Sequence, residues 1–166
     1  MATINFQIQV PITPNWTNID LLRTSVLNCL ATIFKDTEFC RQVSMITSEL
    51  LENAVKYGDW DRSELSGFKL RVSGDEERVD VEVSNPVDVK GQDVKKIFDT
   101  VEQIRSAPNP EEAYRQRLRL VAEQLETDGT SQLGLARIAY EGHCDVSARL
   151  DDSGVLFVSA SSRQVS

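Results

Sequence analysis

The sequence predicts an α+β fold: a two-layer sandwich in which one mainly antiparallel sheet carries helices on one face. Three observations predict it. Apolar and polar residues alternate in five short stretches, the signature of half-buried strands. Between them, apolar residues recur at the helical period of about 3.6. Four of the five strands fall in adjacent pairs joined by turn residues, which favours hairpins over parallel crossovers. The order read along the chain is β-α-α-β-β-α-α-α-β-β.

Ile4, Phe6, Ile8 and Val10 alternate as the first strand, and Pro11 and Pro14 end it. Thr17 or Asn18 is placed to cap a helix with Ile19, Leu22, Val26, Leu30 and Ile33 on one side. Asp36 or Thr37 caps a second helix that runs to about Tyr57, where Gly58 stops it. Phe68, Leu70 and Val72, then Val79, Val81 and Val83, form a hairpin turned at Gly74-Asp75, and Asn85-Pro86 breaks its second strand. Two helices follow. One carries Val94, Ile97, Phe98, Val101 and Ile104. The other opens on an Asn109/Glu112 capping box with Pro110 at its first position, and carries Tyr114, Leu118, Val121 and Leu125 as core contacts up to Asp128-Gly129. Arg115, Arg117 and Arg119, at every second position, spread around that helix as a solvated face. A short helix from near Leu133 to Gly142 precedes the last hairpin, with Val146, Ala148 and Leu150 before the turn and Val155, Phe157 and Val158 after it.

The 166 residues suit one domain. A net charge of −8, from 18 basic and 26 acidic side chains, argues against nucleic-acid and anionic-membrane binding. No apolar run is long enough to span a bilayer, and the first residues lack the charged-then-apolar pattern of a secretory signal. Cys29, Cys40 and Cys144 are odd in number and far apart, with a single histidine. A disulfide framework and a zinc site are therefore not expected, and a cytoplasmic location is. His143 and Cys144 are adjacent, and neighbours on a strand face opposite ways, so they do not form a nucleophile–base pair.

The informative segment is "SELLENAVKYG", residues 48–58. On a wheel of about 100° per residue, Val43, Ile46, Leu50, Ala54 and Tyr57 face the core. Asn53 lies at the margin of that stripe and Glu49 just beyond it, one turn apart, on the seam between core and solvent. Glu52 points away as a solvated charge. A carboxylate and an amide so placed could order a divalent ion and a water, or could be a boundary pair satisfied by backbone.

This segment resembles the helical motif of GHKL (Bergerat-fold) ATP-binding domains, in the form found in anti-sigma-factor serine kinases: Ser48, Glu49, Asn53, Ala54, Tyr57 and Gly58 match. The resemblance implies that Asn53 binds magnesium on the phosphates of ATP, that Glu49 is the general base, and that Lys56 approaches a phosphate. In "TSQLGLARIAYEG", Leu133, Gly134 and Leu135 resemble the family's second glycine turn, which holds phosphate at a helix N-terminus. Gln132 replaces that turn's first glycine, and Gly129 is out of register. The element order agrees too, so residues 1–166 read as one GHKL-like ATP-binding domain with residues 88–128 as a helical insertion in the lid region.

The chain departs from the family at its first glycine box. Asn85 stands where an Asp reads the adenine amino group, Pro86 follows, both glycines are missing, and Gly91 comes too late. An amide oxygen still accepts a hydrogen bond, without the full charge. SiaB-like regulators share this form. The resemblance implies a bacterial partner-switching regulator that binds ATP-Mg and acts as a Ser/Thr protein kinase or switch on a small antagonist-type protein, with a homodimer possible. The alternative is an interaction module on the same fold that has lost nucleotide binding.

Overall fold

The computed structural model describes residues 1–10, 16–62, 68–123 and 133–164. Along these the order is β1 (Thr3–Val10), α1 (Trp16–Ile33), α2 (Thr37–Tyr57), a 3-10 turn (Trp60–Arg62), β2 (Phe68–Asp75), β3 (Arg78–Pro86), α3 (Gln92–Ser106), α4 (Pro110–Glu123), α5 (Leu133–Glu141), β4 (Cys144–Leu150) and β5 (Val155–Arg163). The expected element order and α+β class hold.

The sheet has five strands in the order β1-β2-β3-β5-β4, and every pairing is antiparallel. Register turns sequence alternation into rows across the sheet. Ile8, Leu70, Val83, Val158 and Ala148 are successive cross-strand partners, as are Phe6, Val72, Val81, Ala160 and Val146. Partners share a face, so these rows form one apolar surface. The intervening rows, such as Gln7, Arg71, Glu82, Ser159 and Ser147, are polar, and Arg71, Glu82, Ser159 and Ser147 line an open groove of about 510 Å³ on the other face.

α2 is the central helix on the apolar face. It buries Phe39, Val43, Ile46, Leu50, Ala54 and Tyr57, as its spacing predicts. Asp36 is its cap and accepts a hydrogen bond from the Phe39 N–H at 3.0 Å. Gly58 ends it, in an extended rather than left-handed conformation (φ −68°, ψ 142°). A Cβ there would lie 2.8 Å from the Trp60 indole, so close approach explains this glycine. α3 joins the same core through Val94, Ile97 and Val101.

Several local expectations are corrected. α1 begins at Trp16, ahead of Thr17 and Asn18, so neither precedes the helix as a cap. β2 runs through Gly74-Asp75, and the chain turns at residues 76–77. Gly74 (φ 148°) is needed because the Arg78 carbonyl lies where its Cβ would be. Asn85-Pro86 does not break β3. The register with β2 ends at Ser84, and Asn85 and Pro86 go on pairing with Leu156 and Val155 of β5. Proline is tolerated where the ladder has a partner on one side only.

α4 differs most from expectation. Its only buried residue is Ala113, while Leu118 is 40 % exposed and Tyr114 stacks on the half-exposed Tyr140, ring centroids 5.6 Å apart. The inward face therefore runs through Ala113 and Arg117, four residues apart, and Arg117 is half-buried rather than solvated. Small and long-stemmed residues approach a neighbouring helix closely, and hydropathy spacing does not register that. Asn109 caps α4 through the Glu112 N–H at 2.8 Å, but the Glu112 carboxylate accepts from Gln116 at 3.3 Å. Pro11, Pro14, Leu125, Asp128, Gly129 and Gln132 lie outside the described residues.

Candidate functional site

Glu49 and Asn53 stand one turn apart on α2, but the structure opens them into different spaces. Asn53 is 9 % exposed and lines a cavity of about 10 Å³ with Tyr57, Val83, Asn85, Ile97 and Leu156. The Nδ2 of Asn53 is buried with no hydrogen-bond partner. Asn85 reaches the same cavity from β3 because β3 continues past Ser84, and its Nδ2 donates to the Pro86 carbonyl at 3.0 Å. The two residues that the resemblance assigns to magnesium and adenine are thus brought together. Their cavity is about the size of one water, whereas nucleotide-sized ligands need about 300 Å³ or more. In this conformation the residues present do not fit ATP-Mg.

The Glu49 side chain, 16 % exposed, turns toward α5 instead, into a groove of about 310 Å³ that Arg23, Arg41, Ser48, Glu52 and Arg137 also line. Its Oε1 accepts from Arg137 Nη1 at 3.0 Å, and Arg137 Nε donates to Glu141 Oε2 at 2.7 Å. A Cβ on Gly134 would collide with Glu49 Oε2, so the carboxylate lies against the first turn of α5. That end of a helix favours an anion. The carboxylate is the side chain's own group at the glycine turn where the resemblance places phosphate. Burial, then the neighbouring Glu52, raises the Glu49 pKa, and Arg137 and Lys56 oppose the rise. Glu52, expected to point away, shares this groove because residues three apart lie on one helix flank.

Of the other expected residues, Lys56 is exposed, Leu133 is half-buried and Leu135 is fully buried, anchoring α5 in the core. His143 is exposed and Cys144 is buried. Burial pushes the Cys144 thiol up to about 12, and it donates to the Gly142 carbonyl at 3.1 Å, which leaves no thiolate for nucleophilic chemistry. Among the described residues no group of three or more His, Cys, Asp or Glu is placed to hold a metal ion, and no helix is long and apolar enough to cross a membrane. Sequence reasoning missed Arg137, Ile97 and Arg117 as site residues. Arg137 carried one signal, its four-residue spacing from Glu141.

No family model matches the sequence, and no curated protein does either. Among solved structures, a chain from the SiaB–SiaC complex of Pseudomonas aeruginosa is similar, with a TM-score of 0.64 and 17 % identity over 95 % of this chain and 88 % of that one. At that identity the likeness is one of fold. It spans the insertion as well as the sandwich, since so little of either chain lies outside it.

Proposed function

We propose that this chain is a signalling regulator that acts on a small partner protein, with ATP-Mg as its control, held at Asn53 and Asn85 only in a conformation more open than the one described here. The observation that carries the reading is Asn53 itself: a buried amide whose Nδ2 has no hydrogen-bond partner, facing Asn85 across a cavity between α2 and the sheet. Buried polar groups are seldom left so unless another state or a ligand satisfies them. The fold likeness to a chain from a two-protein complex supports the partner.

The geometry favours a switch over a Ser/Thr kinase. A general base must present its carboxylate beside the reacting hydroxyl. Here Glu49 is held by Arg137 and separated from the Asn53 cavity. Glu49 serves as a base only in a conformation that releases Arg137. The interaction module without nucleotide is the second reading, favoured by the small cavity.

Titration calorimetry of ATP with and without magnesium separates these. Saturable, magnesium-dependent binding that Asn53→Ala abolishes is the expected result. Binding unchanged in Asn53→Ala removes Asn53 from the site, and no binding at millimolar ATP leaves the protein-only module.

A further inference from the structure

The two edges of the sheet are unlike. An edge strand presents a row of unpaired backbone N–H and C=O groups, and proteins commonly guard it with charge, proline, a bulge or a covering element. One edge, β4, is guarded: it carries Asp145 and Arg149, and α3 and α5 pack against it. Arg105 of α3 also shares the polar-face groove with Asp145, so the end of α3 reaches round that edge. The other edge, β1, has no charged side chain, no proline and no bulge. Its eight residues, TINFQIQV, pair with β2 in unbroken register from Thr3 with Asp75 to Val10 with Phe68. The first charged side chain in the sequence is Asp20. No strand among the described residues pairs with the outer row of β1. α1 packs on β1 but leaves Phe6 and Ile8 half-buried, whereas their β2 partners Val72 and Leu70 are fully buried. The apolar rows of the sheet therefore end incompletely covered at this edge, while Asn5, Gln7 and Gln9 stand exposed on the polar face.

We infer that β1 pairs edge to edge with β1 of a second copy of this chain, antiparallel, so that two five-stranded sheets become one of ten strands. β1 itself has the pattern the edge needs. Residues opposite each other across an antiparallel pair share a face. Ile4, Phe6 and Ile8 of one copy thus extend the apolar rows of the other, and Asn5, Gln7 and Gln9 meet as uncharged amides. Charge points the same way. Two copies of a chain of net charge −8 repel each other over most of their surfaces, and the uncharged edge is where they approach without that opposition. The pairing spans about 26 Å of strand. That is a small interface beside those of obligate dimers, so the dimer forms reversibly at micromolar concentrations. It does not depend on the nucleotide reading.

Analytical ultracentrifugation of the full chain, from micromolar to submillimolar concentration, tests this beside two variants of the exposed Gln7. The unmodified chain is expected to pass reversibly from monomer to dimer. Gln7→Lys and Gln7→Glu each set like charges across the pairing, and each is expected to dimerise several-fold more weakly. An equimolar mixture of the two is expected to regain the dimer, because opposite charges then face each other. Amide exchange over residues 3–10 of the unmodified chain is expected to slow as concentration rises. Circular dichroism checks that each variant is folded, and should Gln7→Lys not fold, the exposed Asn5 carries the same test as Asn5→Lys with Asn5→Glu. A chain monomeric throughout that range overturns the pairing. So does a dimer equally strong in both variants, a mixture no stronger than its components, or β1 exchange that ignores concentration.

Discussion

On one flank of α2 the Glu49 carboxylate meets the Arg137 guanidinium at 3.0 Å and rests against the first turn of α5. On the other flank, one turn away, the Asn53 amide nitrogen is buried and meets no acceptor among the described residues. The first flank opens on a groove of about 310 Å³ and the second on a cavity of about 10 Å³. A charged group thus sits where water and a counter-charge reach it, and a neutral amide sits where neither does. The flank that looks chemically equipped is internally satisfied, and the flank that looks inert holds the unmet hydrogen-bonding capacity. That contrast points to the Asn53 side as the place where a second conformation or a ligand acts.

The most severe way to break this contrast is Asn53→Asp. A carboxylate in the closed cavity lacks a partner, and urea unfolding at neutral pH is expected to show a loss of about 3 kcal/mol. A loss under about 1 kcal/mol would mean that water reaches the cavity. Next is Arg137→Met, which leaves Glu49 without its guanidinium. The pair is partly exposed (44 % and 16 %), so the expected loss is about 1–2 kcal/mol in the same measurement. Asn53→Leu removes the partnerless amide for an apolar chain of similar size, and is expected to raise stability by about 1 kcal/mol while abolishing nucleotide binding.

The contrast also has a pH signature. The folded-state pKa of Glu49 is raised above its ordinary 4.5. Its contribution to stability is therefore complete below that value and is lost as pH rises through the folded pKa. Glu49→Gln is expected to abolish this decline, so the variant gains on the unmodified chain as pH rises from 4.5, followed by denaturation at several pH values. A variant that tracks the unmodified chain across that range would show the carboxylate to be fully hydrated. The smallest effect is expected for Glu141→Ala, which removes an exposed i,i+4 partner of Arg137: a shift of Tm corresponding to about 0.5 kcal/mol or less.

The sandwich was legible in the sequence because alternation and helical period are direct consequences of burial. Ile8, Leu70, Val83, Val158 and Ala148 were each visible as inward residues before register aligned them. α2 was legible for the same reason, including the seam position of Asn53, and the structure chose Asp36 over Thr37 as its cap. Asn85 was found only by resemblance, and its pairing beyond Ser84 was hidden because Pro86 reads as a strand breaker until the sheet shows a one-sided ladder.

By itself, then, the sequence determined which residues of the strands and of α2 face inward, where α2 ends, and that Glu49 and Asn53 stand one turn apart on it. These follow from local periodicity and from groups a few residues apart. Only the tertiary structure decided that Glu49 is tied to Arg137, 88 positions away, that Ile97 and Asn53 line one cavity, and that Arg117 is drawn inward beside Ala113. Those outcomes depend on how α5 docks against α2 and how α4 packs on α5 and α3, and docking is set by side-chain volumes and contacts between distant segments, which periodicity does not encode.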